Sequence, residues 1–137
     1  MAWDFRKKSS EILKDFMIVD DTQFLVLKKR IFKAPLEIKI VSGSMEPLIK
    51  TGERIMVEKC EDPNIYDVVV YQANDKRLIC HFVCGVSKAE PGFLLLQSLT
   101  SAPMDLPVSK DRVLGRVIGK KISFYYKMIF VLKRLFV

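Results

Sequence analysis

A mainly β domain, a compact antiparallel barrel-like fold with a helix at either end, is what the sequence predicts. Three observations carry it. Between residues 55 and 118 short apolar runs are divided by turn signals with no helical period among them, the pattern of antiparallel sheets and barrels. Leu36, Ile38 and Ile40 alternate with Glu37 and Lys39, which is the two-residue period of a half-buried strand. Towards both termini the period lengthens to that of a helix.

Residues 1–33 read as a helical or strand extension. Over residues 3–17, Ile12, Leu13, Phe16 and Met17 fall on one side and Lys8, Glu11, Lys14 and Asp15 mostly opposite, with Ser9 or Ser10 as a cap. Asp20, Asp21 and Thr22 break that helix, and Phe24 to residue 27 restart as a strand or a short helix. Lys28, Lys29, Arg30 and Lys33 form a basic run, read as a solvated face ahead of a lipid or nucleic-acid contact.

Residues 34–119 hold the core. After the strand at 36–40 come runs at 55–57, 68–71, 78–86, 93–96 and 113–118. They are separated by Pro63-Asn64, by Ala73-Asn74-Asp75-Lys76 as a hairpin connection, and by Glu90-Pro91-Gly92. Residues 120–137 form a basic, apolar helix in which Lys120, Lys127 and Arg134 recur at heptad spacing. From residue 123 onward it would be roughly 22 Å long, shorter than the ~30 Å hydrocarbon core, so it reads as a membrane-surface anchor and not a span. The competing reading is a terminal helix packed on its own domain.

A chain of 137 residues is one domain's worth, half of it hydrophobic, with a formal net charge of +7. Anionic lipid and nucleic acid are both admitted by that charge, which by itself specifies neither. Residues 1–10 are basic with no apolar run behind them, so neither a secretory signal nor an N-terminal span is read and a cytoplasmic location is expected. Cys60, Cys80 and Cys84 are therefore expected as free thiols. On a strand Cys80 and Cys84 lie about 13 Å apart on one face with His81 on the other, so no zinc site is expected. No cofactor is expected either.

The stretch that carries chemistry is Ile40-Val41-Ser42-Gly43-Ser44-Met45-Glu46-Pro47. Gly43 is expected to permit a sharp bend and Pro47 to stop the ladder. Ser44 then sits at a strand-to-turn corner, its hydroxyl beside freed backbone N–H groups, which is what acyl transfer needs of a nucleophile. The competing reading is a polar turn. His81, the single histidine, follows the hairpin; outside this context a strand histidine is more often a packed or surface residue.

In order and spacing, Ser42-Gly43-Ser44-Met45, Gly52-Glu53-Arg54, Tyr66-Asp67-Val68-Val69-Val70, Leu78-Ile79-Cys80-His81-Phe82-Val83 and Val113-Leu114-Gly115-Arg116-Val117 resemble the boxes of the signal peptidase family of serine proteases. That family shares its fold and dyad logic with the LexA-like self-cleaving repressors. The resemblance spans roughly residues 36 to 119 and implies a Ser-His subtype, with Ser44 as nucleophile and His81 as base. It further implies an oxyanion site at Ser44 N–H and the Ser42 hydroxyl, with substrate contacts at Met45 and Pro47. Asp105 is implied as the residue orienting His81, with Asp111 as the fallback. The sequence departs from the family pattern at Thr100, where an aspartate is usual, at Phe82, where arginine follows the base, and at Tyr66, where glycine precedes Asp67. The expected partners are a polypeptide with a leader or signal-like segment, cut after small residues, and an anionic membrane surface; no specific nucleic acid is expected. Signal peptidases usually carry a membrane anchor, and none is read at this N-terminus. Two alternatives stand beside the peptidase: a catalytically weak peptide-binding module on the same fold, and a LexA-like self-cleaving regulator. Only about forty residues precede Ser44, too few for a helix-turn-helix domain with a cleavable linker.

Overall fold

The structure, a computed structural model, describes residues 18–99, 105–120, 122–124, 127 and 128. The expected helix at 3–17 and most of the expected helix at 120–137 lie outside the described residues; within the latter, Lys127 N–H donates to the Ser123 carbonyl in a helical turn.

The acidic cluster at residues 20–22 starts a helix where the sequence suggested a break. Asp20 is the N-cap of α1, Asp21–Lys33. Its carboxylate accepts from Gln23 N–H at 2.7 Å, while the Gln23 side chain accepts from Asp20 N–H at 3.0 Å, a reciprocal cap that satisfies two otherwise orphaned donors. Phe24, Leu27 and Ile31 are buried at helical spacing, so of the two expectations for residues 24–27 the helix holds, in a longer element of 13 residues, and the strand does not. Pro35 forces Ala34 into extended backbone and ends the helix there; Arg30 and Lys33 in the last turn complement its negative end.

Seven strands follow: β1 Leu36–Lys39, β2 Arg54–Glu58, β3 Val68–Gln72, β4 Leu78–Val86, β5 Phe93–Gln97, β6 Val108–Ser109 and β7 Val113–Val117. They form one curled antiparallel sheet in the order β1-β2-β7-β3-β4-β5-β6. The domain is thus mainly β and antiparallel, as expected, although the outer edges of β1 and β6 do not pair with each other to close a barrel. β3 is central and buried on both faces: Val68 and Val70 join one apolar cluster, Val69 and Tyr71 another. That two-sided burial explains its unbroken Val-Val-Val-Tyr run, where a one-sided strand would alternate.

The first cluster also takes in Phe24, Leu27 and Ile31 of α1 and Ile122 beyond β7, so helix and sheet share one core. α1 packs on β7 and β2 closely enough that a Cβ on Gly115 would lie 2.3 Å from the Glu58 carbonyl oxygen and 2.8 Å from Ile31 and Val57. Any side chain there would collide first with the β2 backbone and force β2 and β7 apart.

Two of the departures from the family pattern are coupled. Tyr66 has a φ of 73°, a left-handed conformation that glycine adopts freely and that costs other residues about 1–2 kcal/mol. Its ring stacks on Phe82 at 6.5 Å, with Lys127 Nζ 4.8 Å from its centroid, and its N–H donates to the Val83 carbonyl at 2.7 Å. Aromatic packing thus offsets the backbone strain. Phe82 is fully buried in the first cluster, on the opposite face of β4 from His81 as alternation requires. Thr100 lies outside the described residues.

Candidate active site

The ladder between β1 and β2 runs one residue past β1 before the nucleophile loop leaves it. Ile40 N–H donates to the Glu53 carbonyl at 2.8 Å, and Gly52 N–H to the Ile40 carbonyl at 2.7 Å, with Gly52 at a φ of 89° closing the neck. Inside the loop Thr51 donates twice to one Glu46 oxygen, from N–H at 3.1 Å and Oγ1 at 3.0 Å. The backbone donor first and the hydroxyl second hold the Glu46 carboxyl below its usual range, so this tie loosens only on acidification through that lowered value.

Gly43 is not in left-handed backbone. Its place is steric: a Cβ would meet the Glu46 carboxyl carbon at 3.3 Å and Thr51 Oγ1 at 3.5 Å. Met45, expected against substrate, is 1% exposed and belongs to the core with Ile49. It anchors the loop from within, because an unbranched apolar side chain next to a turn is best hidden from water. Pro47 is exposed and follows a cis peptide bond, and neither it nor Met45 lines the cavity described next. Ser44 itself is tied to the segment after β5, where Leu99 N–H donates to its carbonyl at 2.9 Å.

One cavity of about 210 Å³ is lined by Ser42, Ser44, His81 and Asp105, together with apolar side chains of β1, β3 and β4. Ser42 Oγ donates to Ser44 Oγ at 3.0 Å and accepts the Ser44 N–H at 3.3 Å. The two proposed oxyanion donors are therefore adjacent and satisfied by the serine pair itself. His81 is 8% exposed and lies opposite Val69 of β3. Its Nδ1 is hydrogen-bonded to Asp105 Oδ2, which leaves Nε2 as the nitrogen able to act as base. No hydrogen bond joins Ser44 to His81 among the described residues; in substrate-free sites such contacts are often long and tighten in the complex.

Asp105 reaches His81 because its N–H is tied to the Leu96 carbonyl of β5 at 3.0 Å. Asp111, the fallback, sits in a 3-10 turn at Lys110–Arg112, capped by Ser109, and does not line this cavity. Tyr71 was not singled out from the sequence. Its hydroxyl donates to the same Asp105 oxygen at 2.7 Å, and its ring meets His81 edge-on with centroids 6.2 Å apart. Burial first, then the bond to Asp105, raises its phenol above the ordinary value, so it remains a donor. The hairpin could have revealed it: a turn at 73–76 puts Tyr71 opposite Ile79, one diagonal step from His81.

Cys80 also lines the cavity and is a rival nucleophile. Burial pushes its thiol up to about 12, which keeps it protonated and inert at neutral pH. Cys84 is buried with Cys80 in the first cluster, and Cys60 is free and partly buried. Among the described residues no three His, Cys, Asp or Glu side chains are grouped to hold a metal ion. No protein-family model matches the chain, and no curated protein matches it significantly.

Proposed function

We propose that the chain is a serine endopeptidase of signal-peptidase type, on the LexA and signal-peptidase fold, with Ser44 as nucleophile and His81 as general base. The observation that carries this reading is the shared cavity: Ser44 and His81 open on it, and the second ring nitrogen of His81 is engaged by a carboxylate. In the reaction His81 Nε2 takes the Ser44 proton as Oγ attacks a peptide carbonyl. The proton passes to the leaving amine, and water then repeats the cycle on the acyl-enzyme. The substrate carbonyl oxygen, as it gains charge, takes over the Ser44 N–H and Ser42 O–H from their mutual bonds. Among the described residues two edges are open to an extended peptide: β1 has no outer partner, and residues 78–81 of β4 lie between the Ile18–Arg77 bridge and the point where β5 begins to pair, at Phe82; strand addition suits such edges. By resemblance, the bond cut follows a small residue of a leader or signal-like segment.

Covalent labelling tests the reading. A phosphonate probe is expected to add once, at Ser44, and an unlabelled protein that still binds extended peptides would leave the peptide-binding module instead. The missing Ser44–His81 bond is the observation that favours that second reading. Ser42→Ala is expected to slow acylation by about 10²-fold, the usual loss of one oxyanion donor of about 3 kcal/mol, with little change in peptide binding. An unchanged single-turnover rate would remove Ser42 from the site.

A membrane surface as partner, at a cytoplasmic face, goes with the same reading. The tail that suggested it lies mostly outside the described residues, but α1 offers a second basis. Leu25 and Phe32 are 59% and 67% exposed and share an open apolar face with Lys28, Lys29 and Lys33, the mixture that interfacial helices use. Among the described residues no helix is long and apolar enough to cross a bilayer. The protein is expected to sediment with anionic and not with neutral vesicles, and Phe32→Ser to weaken this about tenfold; retention unaffected by vesicle charge would refute it.

A further inference from the structure

A second cavity, of about 400 Å³, adjoins the first and shares Arg77, Ile79 and Asp105 with it. Arg112, from the 3-10 turn before β7, lines this cavity and not the first. Arg112 makes no hydrogen bond or ion pair with any described residue, and its Nη1 is sealed from solvent without a partner among them. A guanidinium is charged at every physiological pH and carries five donors, so leaving one partly buried and unpaired is unfavourable unless something else supplies the acceptor.

The nearby carboxylates are already engaged. Asp75 takes Arg77 Nε at 2.6 Å, Asp105 takes His81 and Tyr71, and Asp21 takes Lys76 at 2.8 Å and Gln72 at 3.2 Å; Asp21 attracts Arg112 from a distance but does not hydrogen-bond to it. Much of the remaining wall is apolar, from Ile79, Phe93 and Leu106. A carboxylate on a short methylene stem suits both features, since its oxygens can pair with the guanidinium while the stem lies on apolar surface. Residues 77, 79 and 81 share one face of β4 and the residue before it. Ile18 bridges Arg77 at this edge, so a peptide extended beside residues 78–81 would, at about 3.3 Å per residue, reach the cavity at Ile79 with a side chain roughly two residues from the bond attacked near His81.

We propose that the second cavity is a specificity pocket for an acidic side chain of the substrate peptide, read by Arg112. The proposal rests on the peptidase reading and adds a substrate class to it. The test uses peptide pairs that differ only by Glu or Gln at each of the positions flanking the cleaved bond, offered to the full-length protein, to Arg112→Gln and to Arg112→Lys. At one position the Glu peptide is expected to exceed its Gln twin in kcat/KM by about 10- to 100-fold, the range of a charge-assisted hydrogen bond. That ratio should fall towards one in Arg112→Gln and take an intermediate value in Arg112→Lys. Because each ratio is taken within one variant, a change in folded fraction cancels. Binding of the same pairs to Ser44→Ala, read by fluorescence anisotropy, separates the two proposals. A Glu preference in binding that requires Arg112, without cleavage by the unsubstituted protein, overturns the peptidase and upholds the pocket. Cleavage with a ratio near one at every position, or a preference that survives Arg112→Gln, overturns the pocket and upholds the peptidase. Neither binding nor cleavage overturns both.

Discussion

Ser44→Ala is expected to lower kcat on an extended peptide by at least ~10⁴-fold while the peptide still binds, since removal of a nucleophile leaves only binding and oxyanion stabilisation to catalyse the reaction. The physical basis is that no other described group near His81 can replace it. Ser42 Oγ is adjacent, but its role in the serine pair is to face the same Oγ and the Ser44 N–H. Cys80 is on the cavity wall, yet its buried thiol stays protonated far above neutral pH. Steady-state turnover alone would not distinguish a contaminating protease, so the decisive measurement is a burst of acyl-enzyme in the unsubstituted protein that is absent from Ser44→Ala. Equal cleavage by both would refute the nucleophile.

The second large effect is expected at Asp105, which in the proposed peptidase would act through His81. Its Oδ2 accepts from the imidazole Nδ1 and from the Tyr71 hydroxyl, so the ring is held with Nε2 free to take a proton. In Asp105→Asn an amide N–H can face Nδ1, which favours the tautomer with its proton on Nε2 and removes the base. A loss of about 10³- to 10⁴-fold in kcat with KM nearly unchanged is expected, the magnitude seen when the carboxylate behind a serine protease's histidine becomes an amide. Tyr71→Phe leaves the carboxylate in place and removes one neutral donor, so on the order of tenfold is expected there. A merely structural Asp105 would lower both variants' melting temperatures and raise KM, and that outcome would remove it from the catalytic arrangement.

The part of the site that could be read from the chain is the part set by local pattern. Alternation through Leu36, Ile38 and Ile40 marks β1, and its end marks the corner at Ser44. The hairpin signal at residues 73–76 joins β3 to β4 and so delivers His81. Misreadings arose where a local pattern had two structural outcomes. An Asp-Asp-Thr cluster breaks a helix or caps one, and the reciprocal bonds of Asp20 and Gln23 decide for capping. Met45 next to a presumed nucleophile reads as a substrate contact, but its side chain turns inward to fill the core.

By itself the sequence determined the mainly antiparallel class and the serine corner, because side-chain period and turn chemistry act over a few residues; His81 as candidate base came from the family resemblance. Only the tertiary structure decided which carboxylate meets the imidazole. Resemblance put Asp105 first and Asp111 as the fallback, but no local pattern separates them. Asp105 is 24 residues from His81 and arrives there through its bond to β5, whereas Asp111 is carried off in the turn before β7. The same holds for Tyr71 on Asp105 and for Phe82 under Tyr66. Contacts between distant strands depend on register across the whole sheet, which no short stretch of chain encodes.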